Sequence, residues 1–211
     1  MRYQQLEQKP LNSTAKQILK CAYELFLEKG YKNVTTREIA SHADVNLGLI
    51  TYYFSSKEQL GSIVLDFINE KLYAKAFETR LPDDTGTAER LCVYTMLLWQ
   101  YTDEKIYRFS FELADSNVSN MRMSQPFKEL ARLVIQDYQL PVSLLENEIY
   151  LTVFKSSELA LIRKMMNHSL NITLDKIADV LLSNYFFNIG LPDKTILAVL
   201  NRSKELLSQL P

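Results

Sequence analysis

The chain has 211 residues, of which 47% are hydrophobic and 23% are charged. This length and composition can bury the core of one large or two small domains. No stretch approaches the ~20 uninterrupted apolar residues of a membrane span, and residues 1–10 are too polar for a signal peptide. The two cysteines, Cys21 and Cys92, lack a C-x-x-C spacing, which favours two buried thiols over a disulfide or a redox pair. We therefore expect a soluble cytoplasmic protein without a membrane segment.

Charge is distributed unevenly along the chain, although the net charge is only −1. Residues 1–57 carry eight basic and five acidic side chains, a balance of +3, and the remainder carries 16 basic and 20 acidic side chains, a balance of −4. This asymmetry fits a small phosphate-facing domain joined to a neutral-to-acidic body.

The first predicted elements are short helices. Only five glycines occur, and apolar residues recur at helical spacing with hardly any alternation, which predicts an all-α fold. The first helix is expected to begin at Asn12 or Ser13. It should end at Gly30, which takes the left-handed conformation at little steric cost. Thr35 opens a second helix through a T-x-x-E capping box, and Asn46 caps a third after a turn at Asp44.

Long helices are predicted for the rest of the chain. One begins at the cap Ser56 and runs to about Phe77, before the breaker segment 81–86. Further apolar-periodic segments are predicted at 87–101, 104–115, 125–138, 143–168, 173–189 and 193–209, with breaks that include 116–120. The border between domains is expected near Ser56, which gives domains of residues 1–56 and 57–211.

The N-terminal motif resembles that of the TetR family of bacterial transcription regulators. The matching residues lie between Gly30 and Leu60: Gly30, Tyr31, Thr35, Thr36, Ile39, Ala40, Ala43, Val45, Gly48, Ile50, Tyr53, Phe54, Lys57, Glu58 and Leu60. Three positions depart from the family pattern. Asp44 replaces the usual turn glycine, Asn46 the usual serine cap, and Thr51 a tyrosine that often contacts the DNA backbone. Asp tolerates the left-handed turn and Asn is an effective cap, so the fold is still expected.

The resemblance implies an N-terminal three-helix helix-turn-helix domain and a C-terminal helical bundle for effector binding and dimerisation. The helix from Asn46 to Phe54 would lie in the major groove, with Leu47, Gly48 and Leu49 nearest the bases. Arg37 is either a base-reading side chain or a solvated arginine. The residues that resemble the family's phosphate contacts are Thr35, Thr36, Thr51, Tyr52, Tyr53 and Lys57. Tyr53 has the alternative of being a core aromatic.

Large aromatic and methionine side chains are frequent where the family builds its effector cavity. The candidate pocket residues are Phe67, Tyr94, Trp99, Tyr107, Phe111, Met123, Phe127 and Phe154. Any one of them has core packing as its alternative. Tyr94 and Trp99 lead the set because each combines an apolar face with a polar tip suited to an apolar or aromatic effector.

The sequence contains no recognisable catalytic or cofactor-binding constellation. His42 and His168 lack metal-ligand spacing, and Glu158 and Arg163 have no nucleophile pattern nearby. Phosphate-binding glycine loops and nucleophile elbows are missing. We therefore expect neither enzymatic activity nor a cofactor nor a metal site.

The resemblance implies a homodimeric repressor that binds a near-palindromic duplex operator and is released by a small-molecule effector. Its dimer surface would come from segments 173–189 and 193–209, with the apolar residues Ile177, Val180, Leu181, Ile196, Leu197 and Leu200. Two alternatives stay open. One is a ligandless activator or architectural DNA binder, and the other is an all-helical small-molecule-binding or enzymatic domain that no longer contacts DNA.

Overall fold

A computed structural model describes residues 12–116 and 123–210, and the regular secondary structure in these ranges consists of ten helices. The helices are α1 (Ser13–Lys29), α2 (Thr36–His42), α3 (Leu47–Phe54), α4 (Lys57–Glu78), α5 (Thr87–Tyr101), α6 (Glu104–Asp115), α7 (Gln125–Asp137), α8 (Leu144–Met166), α9 (Leu174–Asn188) and α10 (Asp193–Ser208). The all-α class predicted from the sequence is confirmed. Residues 117–120 of the predicted break, and residues 1–11 of the first predicted domain, lie outside the described ranges.

The predicted helix ends follow the expected side-chain chemistry. Asn12 caps α1 by accepting a hydrogen bond from the Ala15 amide at 2.9 Å. Gly30 ends the helix with φ 87° and ψ 148°. The positive φ agrees with the prediction, but this ψ differs from that of the left-handed helical region, so the chain leaves α1 in a more extended conformation.

The chain forms two compact units. Within the described residues, the first contains 12–68 and 103–116, and the second contains 69–102 and 123–210. The border therefore falls inside α4, between residues 68 and 69, and not near Ser56 as the sequence predicted. Helix α6 likewise joins the first unit, although the sequence assigned it to the second domain.

Close packing explains why the start of α4 and all of α6 belong to the first unit. The rings of Phe26 on α1 and Phe109 on α6 stack with their centres 5.4 Å apart. A Cβ added at Gly61 on α4 would lie 2.7 Å from Leu113 Cδ1 and 2.9 Å from the Tyr31 ring. The missing side chain at Gly61 thus allows α4 to approach both neighbours. Sequence periodicity identified these helices but could not show which partners they choose.

Helix α5 is the central element of the second unit. Every side chain from Leu91 to Trp99 is buried, as expected for a helix that is covered on all sides. It packs against α7, α9 and α10.

Cys92 on α5 is buried, and burial raises the pKa of its thiol. Cys21 on α1 is only half-buried, so the prediction of two buried thiols was wrong for Cys21.

Helices α8 and α9 run antiparallel. The Tyr185 hydroxyl near the end of α9 donates to Asn147 Oδ1 near the start of α8 at 2.9 Å, and both side chains are buried. The α9 residues Ile177 and Leu181 are buried within the unit, and Ile196 and Leu200 on α10 are also buried. The predicted C-terminal apolar surface is therefore smaller than the sequence pattern indicated.

Several large apolar side chains on the same helices nevertheless remain exposed. Helices α9 and α10 expose Val180, Phe187 and Leu197, which line an open groove of about 480 Å³. Helix α8 exposes a further set near its start: Leu144, Leu145, Ile149 and Val153. No helix in the described ranges has both the length and the apolar character needed to cross a membrane.

Candidate nucleic-acid interface

The first unit holds two short helices in a fixed arrangement. Thr35 Oγ1 accepts from the Glu38 amide at 3.1 Å and so caps α2, as its sequence predicted. The Ala43 carbonyl at the end of α2 accepts from Gln17 Nε2 on α1 at 3.0 Å. Lys29 on α1 bonds the Glu38 carboxylate at 2.6 Å and, with the Thr35 backbone amide, lowers the pKa of Glu38. Both ends of α2 are therefore fixed to α1.

The turn between α2 and α3 contains Asp44 and Asn46, two of the three residues that depart from the family pattern. Asp44 adopts φ 49°, the left-handed conformation that the sequence predicted for this position. The Val45 amide then bonds the Ala40 carbonyl at 3.0 Å, and Asn46 Oδ1 accepts from the Gly48 amide at 2.8 Å. Asn46 is thus the cap of α3, and Asp44 serves the turn in place of glycine.

Helix α3 has one face in the core and one face in solvent. Ile50 and Phe54 are completely buried and anchor the helix. The exposed face carries Leu47, Gly48, Thr51 and Tyr52, whose spacing places them together on one side of the helix. Leu47 is 40% exposed and Tyr52 is 75% exposed, so large apolar surface is presented to solvent. Leu49, the third candidate for base contact, is half-buried.

Tyr53 lies between the two faces of α3. Its hydroxyl accepts from Asn12 Nδ2 at 2.7 Å, and its ring centre lies 5.0 Å from that of Tyr52. Asn12 therefore caps α1 through Oδ1 and fixes Tyr53 through Nδ2. No pattern in the sequence indicates this bond, because the two residues are 41 positions apart.

Lys57 begins α4 and contacts an aromatic ring. Its Nζ lies 4.2 Å from the centre of the Tyr31 ring, a cation–π geometry. Partial burial lowers the pKa of Lys57 below the usual value for lysine. The ammonium thus lies over the Tyr31 ring. Tyr31 is a positioning residue that the motif match included but to which sequence reasoning assigned no role.

The remaining candidates lie at the start of α2. Thr35 and Arg37 are exposed and Thr36 is half-buried. The Thr35 hydroxyl uses its oxygen as the helix cap and keeps its proton for a further acceptor. All the predicted DNA-contacting residues therefore belong to the first unit, within positions 35–57.

The predicted effector residues are divided between the two units. Tyr94, Trp99, Met123, Phe127 and Phe154 are buried in the second unit. Phe67, Tyr107 and Phe111 belong to the first unit. The Tyr107 and Phe111 rings stack on α6 with centres 6.1 Å apart, and the Phe67 ring meets Tyr23 edge to face at 6.3 Å. The eight candidate residues therefore do not lie in one unit, because α6 and the start of α4 pack with α1 in the first unit.

In the second unit, one acidic side chain lies among the aromatic candidates. Trp99 Nε1 donates to Glu158 Oε1 at 2.6 Å, and Lys155 Nζ lies 2.8 Å from Glu158 Oε2. The sequence alone assigns Glu158 no role, because no nucleophile pattern lies near it. The available signal was a carboxylate on the apolar face of a long helix, spaced one turn after Phe154.

The described residues contain no group of three or more His, Cys, Asp or Glu side chains arranged to hold a metal ion.

Comparison with known proteins identifies relatives of the N-terminal part. A family model described as "Bacterial regulatory proteins, tetR family" matches residues 18–61. The "Probable HTH-type transcriptional regulator YttP" of Bacillus subtilis (strain 168) is 33% identical over 105 residues, covering 47% of this chain and 49% of that protein. The HTH-type transcriptional dual regulator CecR of Shigella flexneri is 45% identical over 67 residues, covering 30% of each. The chain thus spans about half the length, or less, of these relatives.

Solved structures resemble the chain over most of its length. A structure of RolR in complex with the ligand resorcinol has a TM-score of 0.66 at 19% identity, covering 95% of this chain and 96% of that chain. RolR without ligand has a TM-score of 0.59 at 17% identity, covering 89% and 96%. At these identities the likeness concerns the fold.

Proposed function

Because this chain belongs to the tetR family of bacterial regulatory proteins, we propose that it is a transcriptional regulator that binds duplex DNA through α3. One observation carries the proposal: α3 is anchored by Ile50 and Phe54 and presents Leu47, Gly48, Thr51 and Tyr52 to solvent. A helix held in this way fits the major groove with its N-terminal residues nearest the base edges.

The exposed chemistry of α3 favours readout of shape and methyl groups. Leu47 has no hydrogen-bonding group, but its side chain can pack against thymine methyl groups, and Gly48 allows close approach of the backbone. Arg37, which is exposed in the first turn of α2, is the side chain proposed to hydrogen-bond base edges. Thr35, Thr36, Thr51, Tyr52, Tyr53 and Lys57 would contact the phosphates and fix the register of the protein on DNA.

We propose that two copies of the chain bind one near-palindromic operator. A single helix-turn-helix domain makes few base contacts, whereas a two-fold dimer places two recognition helices roughly 34–36 Å apart, in successive major grooves. The exposed apolar residues of α8, α9 and α10 support a second copy as the occupant of this surface, because large exposed apolar patches commonly mark interfaces.

We propose further that the protein is a repressor and that an apolar or aromatic small molecule releases it from the operator. The second unit supports this idea with its buried aromatic residues, and the solved neighbour with the highest TM-score given above binds resorcinol, an aromatic compound. Helix α4 provides residues to both units, so a ligand that displaces its end in the second unit would reorient its start in the first.

The effector-binding residues proposed in the second unit are Tyr94, Trp99, Met123, Phe127 and Phe154. Phe67, Tyr107 and Phe111 would then respond to the effector from within the first unit.

Selection of bound fragments from sheared genomic DNA tests the proposal. We expect enrichment of a two-fold symmetric sequence whose half-sites are centred ~10 base pairs apart or a multiple of it. Affinity for a random duplex should fall steeply with salt, because phosphate contacts release counterions. Failure to enrich any sequence, together with salt-independent binding, would contradict a DNA-binding function.

A further inference from the structure

The second unit contains a buried carboxylate at the middle of α8. Glu158 is only 6% exposed, and it lies on the buried face of the helix that also carries Phe154 one turn earlier. Its Oε1 accepts from the Trp99 indole at 2.6 Å, and its Oε2 lies 2.8 Å from the Lys155 ammonium. Two helices, α5 and α8, therefore meet at an ion pair inside an aromatic core.

Packing alone does not require an acidic residue at this position. Removing a carboxylate from water is costly, and buried ion pairs can often be replaced by apolar side chains without loss of stability. The Trp99 N–H needs only a neutral acceptor, such as an amide oxygen. Trp99 alone therefore does not explain a carboxylate here. Paired with Lys155, the carboxylate is a strong hydrogen-bond acceptor held inside an apolar core.

The surroundings of Glu158 combine apolar surfaces with few polar groups. Phe154 is buried, and its ring centre lies 5.5 Å from that of Phe127. Tyr73 is also buried, and burial together with the nearby Glu158 carboxylate raises the pKa of Tyr73. Aromatic side chains around one strong acceptor match an aromatic compound that bears a hydrogen-bond donor.

We propose that Glu158 is the recognition group of the effector site and accepts a hydrogen bond from the hydroxyl of an uncharged aromatic effector. This inference rests on the proposed function, in which the second unit binds the effector. A carboxylate can accept about four hydrogen bonds, so a hydroxyl can join the indole and the ammonium. Lys155 already balances the charge of Glu158, so a charged ligand of either sign would lose its hydration without meeting a net counter-charge.

A panel of four ring compounds tests this preference on the unmodified full-length protein. Phenol carries the donor, anisole has a similar shape without it, benzylamine is cationic and benzoate is anionic. Binding can be followed by calorimetry and by the fluorescence of Trp99, the single tryptophan of the chain. We expect phenol to bind roughly tenfold or more tightly than the other three, as for a hydrogen bond to a charged acceptor. Equal or tighter binding of anisole, benzylamine or benzoate, or no binding of phenol at millimolar concentration, would overturn the inference.

A pair of matched substitutions on α8 then tests the residue itself. Glu158→Gln keeps the shape and an acceptor for Trp99 but removes the charge, and it should weaken phenol binding by about tenfold while leaving anisole binding unchanged. Glu148→Gln, whose carboxylate is exposed and bonds Lys128, is the control and should leave phenol binding unchanged. Equal phenol affinity of Glu158→Gln and wild type would overturn the assignment. Should Glu158→Gln fail to fold, the order of affinities of the four compounds for the wild-type protein still tests whether the site prefers an uncharged hydroxyl donor.

Operator release separates failure of this inference from failure of the proposed function. If benzylamine or anisole releases the DNA and phenol does not, the proposal of an effector-responsive regulator is supported and the proposed role of Glu158 is wrong. If phenol binds through Glu158 but no bound compound alters operator affinity, the proposed binding site is supported and the proposal of effector-controlled repression is wrong.

Discussion

At the residue scale, Lys57 combines a contact within the fold with a proposed contact to DNA. Its ammonium lies over the Tyr31 ring, at the beginning of α4. A phosphate contact contributes affinity but no sequence information. We therefore expect Lys57→Met to weaken binding to operator and random duplex by similar factors and to reduce the slope of log affinity against log salt by about 1. Fluorescence anisotropy at several salt concentrations measures both quantities.

Lys20→Met is the matched control for this prediction. Lys20 is an exposed lysine on α1 that pairs with Glu24 at 3.9 Å, and it is not among the proposed phosphate contacts. Its substitution should leave the salt slope unchanged. A loss confined to the operator in Lys57→Met would instead identify Lys57 as a base-reading residue.

Arg37 should behave differently from Lys57. It is exposed in the first turn of α2, and its guanidinium can form two hydrogen bonds with one guanine edge. We expect Arg37→Ala to cost ~1–3 kcal/mol of binding at one operator position and to relax the base preference there. Affinities for operators with single base-pair changes test this expectation. Uniform weakening across all these duplexes would place Arg37 among the phosphate contacts.

At the element scale, the turn between α2 and α3 depends on one backbone conformation. Asp44 adopts φ 49°, which a β-branched residue adopts only with strain. Asp44→Val should therefore lower the free energy of unfolding by about 1–2 kcal/mol, whereas Asp44→Gly should change it by less than about 1 kcal/mol. Urea unfolding followed by circular dichroism compares the two variants. Equal effects would mean that the turn does not constrain the backbone at this residue.

At the scale of the whole molecule, the exposed apolar residues of α9 should control assembly. Phe187 is 65% exposed on the groove between α9 and α10. If a second copy covers this surface, Phe187→Glu should place an unpaired charge in the interface and yield a monomer. Operator affinity should then fall on the order of 10²-fold, because the two half-sites are no longer bound by one linked pair of domains. Analytical ultracentrifugation and anisotropy measure the two effects.

Leu170→Glu provides the control for assembly. Leu170 is a partly exposed apolar residue of the same unit, outside the helices of the proposed interface. This variant should remain dimeric and keep its operator affinity. A dimeric Phe187→Glu protein would exclude the α9 surface as the interface.

Effector and operator should also affect each other reciprocally. Helix α4 contributes to both units, so the two proposed binding events share one element. Coupling energies of this kind are ~1–3 kcal/mol, and linkage requires the same factor in both directions. The effector identified by operator release should therefore bind the protein–DNA complex more weakly, by the factor with which it lowers operator affinity. Equal effector affinity for the free protein and for the protein–DNA complex would exclude this coupling.

Local chemistry was sufficient to predict the elements of the first unit. Caps such as Thr35 and Asn46, and the turn at Asp44, depend on backbone and side-chain groups only a few positions apart. Helical periodicity likewise predicted the long helices from a repeat contained within each segment. These features can be read from a sequence because the interacting groups are neighbours along the chain.

Partners distant in sequence required the tertiary structure. The division of α4, the membership of α6 in the first unit, and the bond from Asn12 to Tyr53 depend on packing between helices far apart in the chain. The same holds for Glu158, because its sequence position shows a carboxylate on an apolar face but not the indole that it meets. Amphipathic periodicity predicts which face of a helix is buried, but it does not predict which other helix covers that face. The sequence therefore determined the helices and the helix-turn-helix motif, and tertiary packing decided the units and the candidate effector chemistry.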